Sequence, residues 1–176
     1  MKHILFTVLI FGVLFSCKES SEMEFEKDGI SFTSPASWKI TDQETMSNNA
    51  GYFLSVERDG FSSSGLLTLT WVYDSLDLSY WLDLYKEGFM AQFVYKNSDL
   101  IFEAPVSDVF NNYNTIAVNY TVSILGVEHE GLIHVFHGYN KTIAIVKQEA
   151  IEDKDNNRVG FDIIEQSFSL DENLIE

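Results

Sequence analysis

The stretch YNTIAVNYTVSILG, residues 113–126, alternates apolar and polar side chains along most of its length. A period of two is typical of a β-strand with one buried face. Two more strands are predicted over residues 127–138 and 141–149, after the tight-turn sequences Leu125-Gly126 and Gly138-Tyr139-Asn140. Strands joined by such turns are antiparallel neighbours, so this part of the chain predicts a meander. One face of its first strand carries Ile116, Val118, Tyr120, Val122 and Ile124.

The chain before the meander predicts shorter strands. The strand over residues 66–73 is partly apolar on both faces, which indicates a sheet covered on both sides. Residues 41–51 are polar and predict a loop, and Asn111-Asn112 predicts a turn into the meander. The remaining short strands are predicted at residues 30–33, 38–40, 52–57 and 100–103, the last one stopped by Pro105.

Two helices are predicted. The first follows Asp77 or Ser75, either of which can cap its start, and its apolar residues recur with a period near 3.6. The second begins in the polar segment 153–157 and closes the domain over residues 159–168. The apolar stripe of the first helix, broad enough to pack on a sheet, consists of Leu78, Trp81, Leu82, Tyr85, Phe89 and Phe93.

The N-terminus has the pattern of an export signal. Lys2 and His3 precede an apolar run over residues 4–15, which is too short to span a bilayer as a mature helix. The run ends in Leu14-Phe-Ser-Cys17, which resembles the lipobox of bacterial lipoproteins. This resemblance, which covers residues 1–17, implies cleavage between Ser16 and Cys17, a diacylglycerol on the thiol of Cys17 and an acyl chain on its new amino group.

The lipobox resemblance predicts a lipid-anchored protein of the bacterial cell envelope, at the outer membrane. Lys18-Glu19 is similar to part of the surface-export signal of Bacteroidetes lipoproteins, but Ser20 stands where a second acid is favoured. Two orientations therefore stay open, the periplasmic face and the cell surface. The predicted organisation is a signal peptide (1–16), a lipidated cysteine with an acidic tether (17–27), one domain (28–171) and an acidic tail (172–176).

Composition restricts the partners. The net charge is −16, and removal of the signal, whose single charged residue is Lys2, makes it more negative by one. Such a chain repels nucleic acid and anionic head groups, so membrane attachment is predicted to depend on the acyl chains of Cys17. Cys17 is also the only cysteine, so stability must come from packing rather than from a disulfide.

Two local patterns resemble the PsbP and Mog1-like superfamily. Residues 29–38, GISFTSPASW, match its Gly-x-x-Phe-x-x-Pro-x-x-Trp opening, and residues 163–168, IIEQSF, match its closing helix. The resemblance spans residues 25–171. It implies an α+β fold, a twisted antiparallel sheet flanked by helices, and the order of elements adds one long central helix and one C-terminal helix. Members include photosystem accessory subunits, a Ran-binding protein, envelope lipoproteins and secretion chaperones, which are mostly binding proteins.

The spacing of the potential ligands gives little support for a metal site. His129 and His137 share a strand face but lie about 26 Å apart at about 3.3 Å per residue, and His134 is on the opposite face. The run from Asp153 to Asn157 has the spacing of the first half of a calcium loop. However, the glycine and the closing glutamate of such a loop are missing, so an acidic helix start is the better interpretation. No metal site is predicted.

No catalytic residue is predicted either. Ser64 replaces the second glycine of a Gly-x-Ser-x-Gly elbow, and the single thiol, that of Cys17, is committed to lipid. The sequence therefore predicts a non-enzyme with no cofactor beyond its acyl chains. Its predicted function is a binding or accessory module for an envelope protein partner not yet identified. The alternative is a lipoprotein that binds a small ligand or metal ion at an aromatic-lined site near Trp71, Tyr73 and Tyr80.

Overall fold

A computed structural model describes residues 21–92, 94–95 and 98–171 of the 176-residue chain. Within these residues the chain forms strands, two α-helices and two short 3-10 turns at Ser47–Asn49 and Ile151–Asp153. In chain order the elements are β1 (Met23–Lys27), β2 (Ile30–Ser34), β3 (Trp38–Thr45), β4 (Gly51–Arg58), β5 (Leu66–Val72), α1 (Leu78–Ala91), β6 (Ile101–Phe102), β7 (Val106–Phe110), β8 (Tyr113–Ile124), β9 (Val127–Gly138), β10 (Lys141–Ala150), α2 (Lys154–Ser167) and β11 (Ser169–Leu170).

The main sheet has eight strands in the order β3-β4-β5-β10-β9-β8-β6, and β7 also pairs with β8. Every pairing among the described strands is antiparallel. The predicted meander is confirmed, with Ile116 opposite Val135 and Phe136 opposite Ile143. The two tight turns place Leu125 and Tyr139 at positive φ, which matches the turn chemistry read from the sequence.

A second, three-stranded sheet has the order β1-β2-β11. Its strand β1 lies inside the range predicted as a tether, so the folded part of the chain includes residues from Met23 onward. Apolar packing holds β1 in place, because Phe25 is buried opposite Phe32 and their rings stack with centroids 5.0 Å apart. β11 closes this sheet by pairing with β2 after α2, a pairing that the sequence alone did not predict.

The main sheet is covered on both faces, as the apolar pattern of β5 predicts. On one face, α2 and the small sheet pack on a core cluster that includes Leu69 and Trp71. On the other face, α1 contributes Leu82 and Phe89 to a second cluster. In the second cluster the meander contributes Val118, Tyr120, Val122, Ile133, Val135, Ala144 and Val146.

Three sequence-based expectations are corrected. β3 continues to Thr45 through the predicted loop, and β7 follows Pro105 where no strand was predicted. Both strands are largely exposed, so they lack the apolar alternation that reveals a half-buried strand. The predicted long central helix is not seen: α1 and α2 have 14 residues each, and Gln92 already leaves α1 with an extended backbone. Phe93 lies outside the described residues.

The tryptophan of the family-like opening motif is fixed by close packing. Trp38 is buried, and its ring meets that of Phe161 edge-on at 4.9 Å. A Cβ atom at Gly160 would stand 2.1 Å from Trp38 Nε1, and one at Gly65 would stand 2.7 Å from the far edge of the same ring. The two glycines therefore let α2 and the start of β5 approach the indole directly.

Candidate functional site

The lipidation and cleavage residues Cys17 and Ser16 lie outside the described residues, as does the tail 172–176. In the part that is described, neither helix is long and apolar enough to cross a membrane. The candidate sites of the folded domain are two clefts, one on each face of the main sheet, and one exposed sheet edge.

The three aromatic residues expected to line a ligand site are not brought together. Trp71 is wholly buried in the cluster beneath α2, and its ring packs on Tyr52 at 4.8 Å. Tyr80 is exposed on α1, which covers the opposite face. Tyr73 is also exposed, and its hydroxyl donates a hydrogen bond to Asp28 Oδ2 at 2.5 Å. No single surface joins these three side chains.

A different set of aromatic residues lines a groove between α1 and strands β4 and β5, which we call the α1 groove. Its volume is about 480 Å³. Along α1 the rings follow one another: Trp81 and Tyr85 are 6.0 Å apart, Tyr85 and Phe89 6.1 Å, and Phe89 stacks on Tyr95 at 4.9 Å. The strands and their flanks supply Met46, Phe53, Ser55, Glu57, Leu66, Thr68 and Thr70, and the helix side adds Leu84, Gly88 and Gln92.

The polar groups that line the α1 groove differ in whether they have a hydrogen-bond partner. The hydroxyls of Tyr85 and Thr70 are 3.0 Å apart, and burial raises the pKa of Tyr85. At the rim, Thr41 donates to Glu57 Oε1 at 2.8 Å. Trp81 Nε1 is buried but has no hydrogen-bond partner among the described residues. A buried indole N–H usually finds an acceptor, so this group is an exception.

One end of the α1 groove rests on a buried tyrosine pair. The hydroxyls of Tyr95 and Tyr120 both donate to Gln148 Oε1, at 2.7 and 2.8 Å. Burial raises the pKa of Tyr95 to about 12 and that of Tyr120 well above its ordinary value. Gly131, opposite Tyr120 on β9, leaves room for that ring, because a Cβ atom there would stand 2.2 Å from it. These tyrosines are rigid, neutral hydrogen-bond donors rather than acid–base groups.

The second cleft lies beneath α2, has a volume of about 460 Å³ and carries charges of both signs. Lys154 forms an ion pair with Glu130, and Lys147 forms one with Glu165 at 2.6 Å. Burial raises the pKa of Glu149, whose Oε2 atom is buried. The bases of this cleft are thus largely occupied by the protein's own acids, which leaves the cleft poorly suited to a charged ligand.

Asp153, the first residue of the calcium-loop-like spacing, forms a hydrogen-bonded ion pair that joins α2 to the sheet. Its carboxylate pairs with Arg58, accepts from the backbone N–H and the hydroxyl of Ser64 at 2.9 Å each, and accepts from Asn156 at 2.8 Å. Burial raises the pKa of this carboxyl, but the hydrogen bonds from Asn156, Ser64 and Arg58 outweigh it and hold the pKa well below its ordinary range. The segment is a 3-10 turn leading into α2.

The three histidines of the described residues do not converge. His134 is buried, with Nδ1 3.0 Å from the hydroxyl of Thr115. His137 Nε2 contacts the carbonyl of Leu76 at 2.7 Å, and His129 contacts the carbonyl of Val127 at 2.9 Å. Among the described residues, no group of three or more His, Cys, Asp or Glu side chains is placed to hold a metal ion.

The sheet edge formed by β6 and β7 is apolar and exposed. Ile101, Val106 and Val109 are 63%, 51% and 49% exposed. β7 pairs with β8 on one side, and no described strand pairs with its other side. The opposite edge of the sheet, β3, instead carries charged residues such as Lys39 and Glu44. Charges of this kind protect an edge from pairing, and β7 has fewer of them.

Solved structures that share this architecture include the following three. The solution structure of cyanobacterial PsbP (CyanoP) from Synechocystis is 13% identical, covers 92% of this chain and 99% of its own, and has a TM-score of 0.59. The crystal structure of LpqN, involved in cell envelope biogenesis of Mycobacterium tuberculosis, is 9% identical over 85% of this chain and 90% of its own, with a TM-score of 0.52. A Bacteroides thetaiotaomicron protein is 8% identical over 86% of this chain and 49% of its own, also at 0.52.

These likenesses define the class of fold: the chain has a PsbP-like fold, an antiparallel sheet with a helix on each face. No protein-family model and no curated protein sequence matches the chain. At such low identity the solved structures establish the fold and not the function.

Sequence reasoning missed the α1 groove although it found the helical stripe that forms its wall. Trp81, Tyr85 and Phe89 were interpreted as core residues, and Phe89 is indeed buried. The signal that could have revealed the groove is Gly88, which costs helix stability and lies between large aromatic residues on α1. A glycine within a helical pattern lowers helix stability, and here the missing side chain leaves space at the groove.

Proposed function

We propose that this chain is a lipoprotein of the bacterial cell envelope whose domain is a non-catalytic accessory module for a protein partner. In this proposal residues 1–16 are removed, and the acyl chains on Cys17 hold the domain at the outer membrane, on its periplasmic face or at the cell surface. The lipobox-like sequence supports the anchor. The fold shared with LpqN, a protein involved in cell envelope biogenesis, and with CyanoP supports the accessory role.

The observation that carries the proposal is the exposed edge of β6 and β7. Val106 and Val109 project from an edge strand whose outer backbone groups are not paired with any described strand. An extended segment of a partner can add to such an edge, where main-chain hydrogen bonds supply affinity and exposed apolar side chains supply packing area. The polar edge at β3 is the natural comparison, because it belongs to the same sheet but carries charges.

Site-specific photo-cross-linking in intact cells tests this proposal. A photoreactive phenylalanine analogue replaces Val109 on β7 or, as the matched control, Glu44 on β3. We expect a discrete adduct of defined mass from position 109 and none from position 44, and Val106→Lys should weaken the adduct. The proposal is wrong if position 109 gives no adduct, or if both positions give the same set of adducts.

A further inference from the structure

We propose that the end of the main sheet at which the tether leaves the domain faces the lipid bilayer and inserts two apolar side chains, Phe61 and Leu125, among zwitterionic lipid head groups. This inference rests on the proposed lipid anchor at Cys17 and adds a second surface of contact with the membrane. We call this end of the sheet the tether end. It carries the β4–β5 loop, residues 59–65, and the β8–β9 turn, residues 125–126.

Strand pairing places the loop and the turn at the same end of the sheet. β8 and β9 meet in the turn that follows Ile124. β10 reaches the same end, since its Ala150 lies opposite His129 of β9. Gln148, two residues earlier, lies opposite Leu66, the first residue of β5 after the β4–β5 loop. The loop and the turn are three strand spacings apart, which is about 14 Å across the sheet at about 4.8 Å per strand.

The tether leaves the domain at this end as well. β1 and β2 are antiparallel, with Met23 opposite Ser34 at the end of β2. β2 then runs into the turn that begins β3 at Trp38, which pairs with Arg58 beside the β4–β5 loop. The chain that precedes β1 therefore emerges at the tether end. Since Met23 is only six residues after Cys17, the lipid attachment point lies within about 21 Å of it, at about 3.5 Å per residue.

The tether end displays the two most exposed large apolar side chains of the described residues. Phe61 stands on a turn in which Ser63 donates to the carbonyl of Gly60 twice, from its backbone N–H at 3.3 Å and from its hydroxyl at 2.8 Å. Leu125 has a φ of 51° and is followed by Gly126 at 83°. Two successive residues at positive φ favour Asn-Gly, so a leucine at the first position does not serve the turn. Contact with an apolar environment outside the domain accounts for both side chains.

The charges at the tether end indicate zwitterionic rather than anionic lipid. Glu128 on β9 and Glu152 before α2 are exposed close to the turn and the loop. Lys39 and Lys154 at the same end are already paired with acids of the protein. The chain as a whole carries a net charge of −16, so it is repelled by an anionic surface. Apolar side chains can enter the interface of a phosphatidylcholine or phosphatidylethanolamine leaflet without that repulsion.

This orientation leaves the β7 edge free for a protein partner. β7 pairs with residues 113–117 of β8, the part of that strand farthest from Leu125. The eight residues from Ala117 to Leu125 span about 26 Å at about 3.3 Å per residue. Partner binding and membrane contact therefore use separate surfaces of the anchored domain.

Nitroxide depth measurements on the acylated protein test the orientation. The full chain is produced in bacteria with its signal, checked for acylation by mass spectrometry and reconstituted into phosphatidylcholine vesicles. Ser62→Cys, beside Phe61, supplies the only free thiol for the label, because that of Cys17 carries lipid. Tyr139→Cys, in the β9–β10 turn at the opposite end, is the matched control. We expect the ratio of label collisions with oxygen to those with a water-soluble nickel complex to be about threefold higher at position 62 than at position 139.

A double variant shows whether the apolar side chains themselves hold this end in the lipid. Phe61→Ser with Leu125→Asn removes both of them at exposed positions, and asparagine suits the positive φ of the turn. The collision ratio at position 62 should then fall to the value at position 139. Tyr139→Asn makes a similar change in the turn at the opposite end and should leave the ratio at position 62 unchanged. Circular dichroism verifies that the variants keep the fold.

The inference is overturned if positions 62 and 139 of the acylated protein are equally exposed to the nickel complex, or if the double variant keeps the ratio of the native chain. The acylation measurement separates this failure from that of the proposed anchor. An acylated, vesicle-bound protein with both labels in water refutes only the membrane contact of the tether end. A chain without lipid on Cys17 refutes the anchor and the contact together, whatever the cross-linking result at Val109.

Discussion

Arg58 on β4 and Asp153 at the start of α2 form an ion pair across 95 residues of sequence, with side chains that are only 19% and 11% exposed. Arg58 also donates through Nε to Asn157 Oδ1 at 2.6 Å. This contact joins the β4–β5 hairpin to α2, and Ser64 on the same hairpin adds its backbone N–H and hydroxyl to the carboxylate. The closing helix is therefore fixed to the sheet by polar as well as apolar contacts.

The first prediction concerns this ion pair. Arg58→Met removes the cation and leaves the buried carboxylate of Asp153 without its charged partner, which should lower the free energy of unfolding by about 3 kcal/mol in urea titrations at pH 7. Adding Asp153→Asn to Arg58→Met should recover part of the loss, since no uncompensated charge then remains. Lys39→Met is the control, because the Lys39–Asp59 pair at 2.7 Å is 58% and 66% exposed and should contribute little.

The same pair predicts an acid-sensitive step. The hydrogen bonds of Asp153 hold its pKa in the folded state below the unfolded value, so its contribution to stability is present above about pH 4 and is lost as the pH falls further. Arg58→Met weakens this effect and should shift the midpoint of acid unfolding, followed by circular dichroism, to higher pH. An unchanged midpoint would show that Arg58 does not stabilise the charged form of Asp153.

The second prediction concerns His134. Burial, aided by the charge of Lys147, lowers its pKa to about 4, while Asp108 and Glu165 act weakly in the other direction. The unfolded chain then takes up a proton below about pH 6.5 and the folded chain does not. Stability should fall as the pH drops from about 6.5 to about 4, by up to about 3 kcal/mol from this group. His134→Gln should flatten the wild-type slope between pH 6.5 and 5 in urea titrations, and an identical slope would refute the assignment.

The third prediction compares two helical glycines. Gly160→Ala places a Cβ 2.1 Å from the indole of Trp38 and should destabilise the protein by about 1–3 kcal/mol, despite the better helix propensity of alanine. Gly88→Ala meets no described atom within 4 Å and should stabilise α1 by about 0.5–1 kcal/mol. Thermal unfolding measures both. The penalty of Gly160→Ala should shrink in a Trp38→Phe background, because the smaller ring relieves the overlap.

The fourth prediction concerns the anchor. Cys17→Ser should abolish acylation and release the protein from the membrane fraction, while its circular dichroism spectrum stays that of the wild type. Ser16→Ala keeps a small residue before the cysteine and should leave the protein acylated and membrane-bound. Metabolic labelling with an alkyne fatty acid, followed by fractionation, distinguishes the two. If Cys17→Ser stays labelled and membrane-bound, the attachment uses another part of the chain.

The sequence predicted the elements whose pattern is local. β8, β9 and β10 are joined by two-residue turns and β8 alternates with a period of two, so their pairing followed from neighbouring residues alone. The cap of α1 was also local, and Asp77 Oδ1 accepts from the backbone N–H of Tyr80 at 2.9 Å. The continuation of β3 through residues 41–45 and the whole of β7 were not predicted, because an exposed edge strand does not need alternating apolar side chains.

Only the tertiary structure determined which residues that are far apart in sequence come into contact. Trp71 was a natural candidate for a ligand site, yet the sheet buries it against Tyr52, and the packing of α1 on the other face opens a groove beside Trp81 and Gly88 instead. The sequence by itself determined the strands of the meander, the two helices and the export signal it predicts, because each depends on residues close together in the chain. The grooves, the buried ion pair and the unpaired sheet edge depend on how separate elements pack, and packing is set by shape and burial across the whole domain.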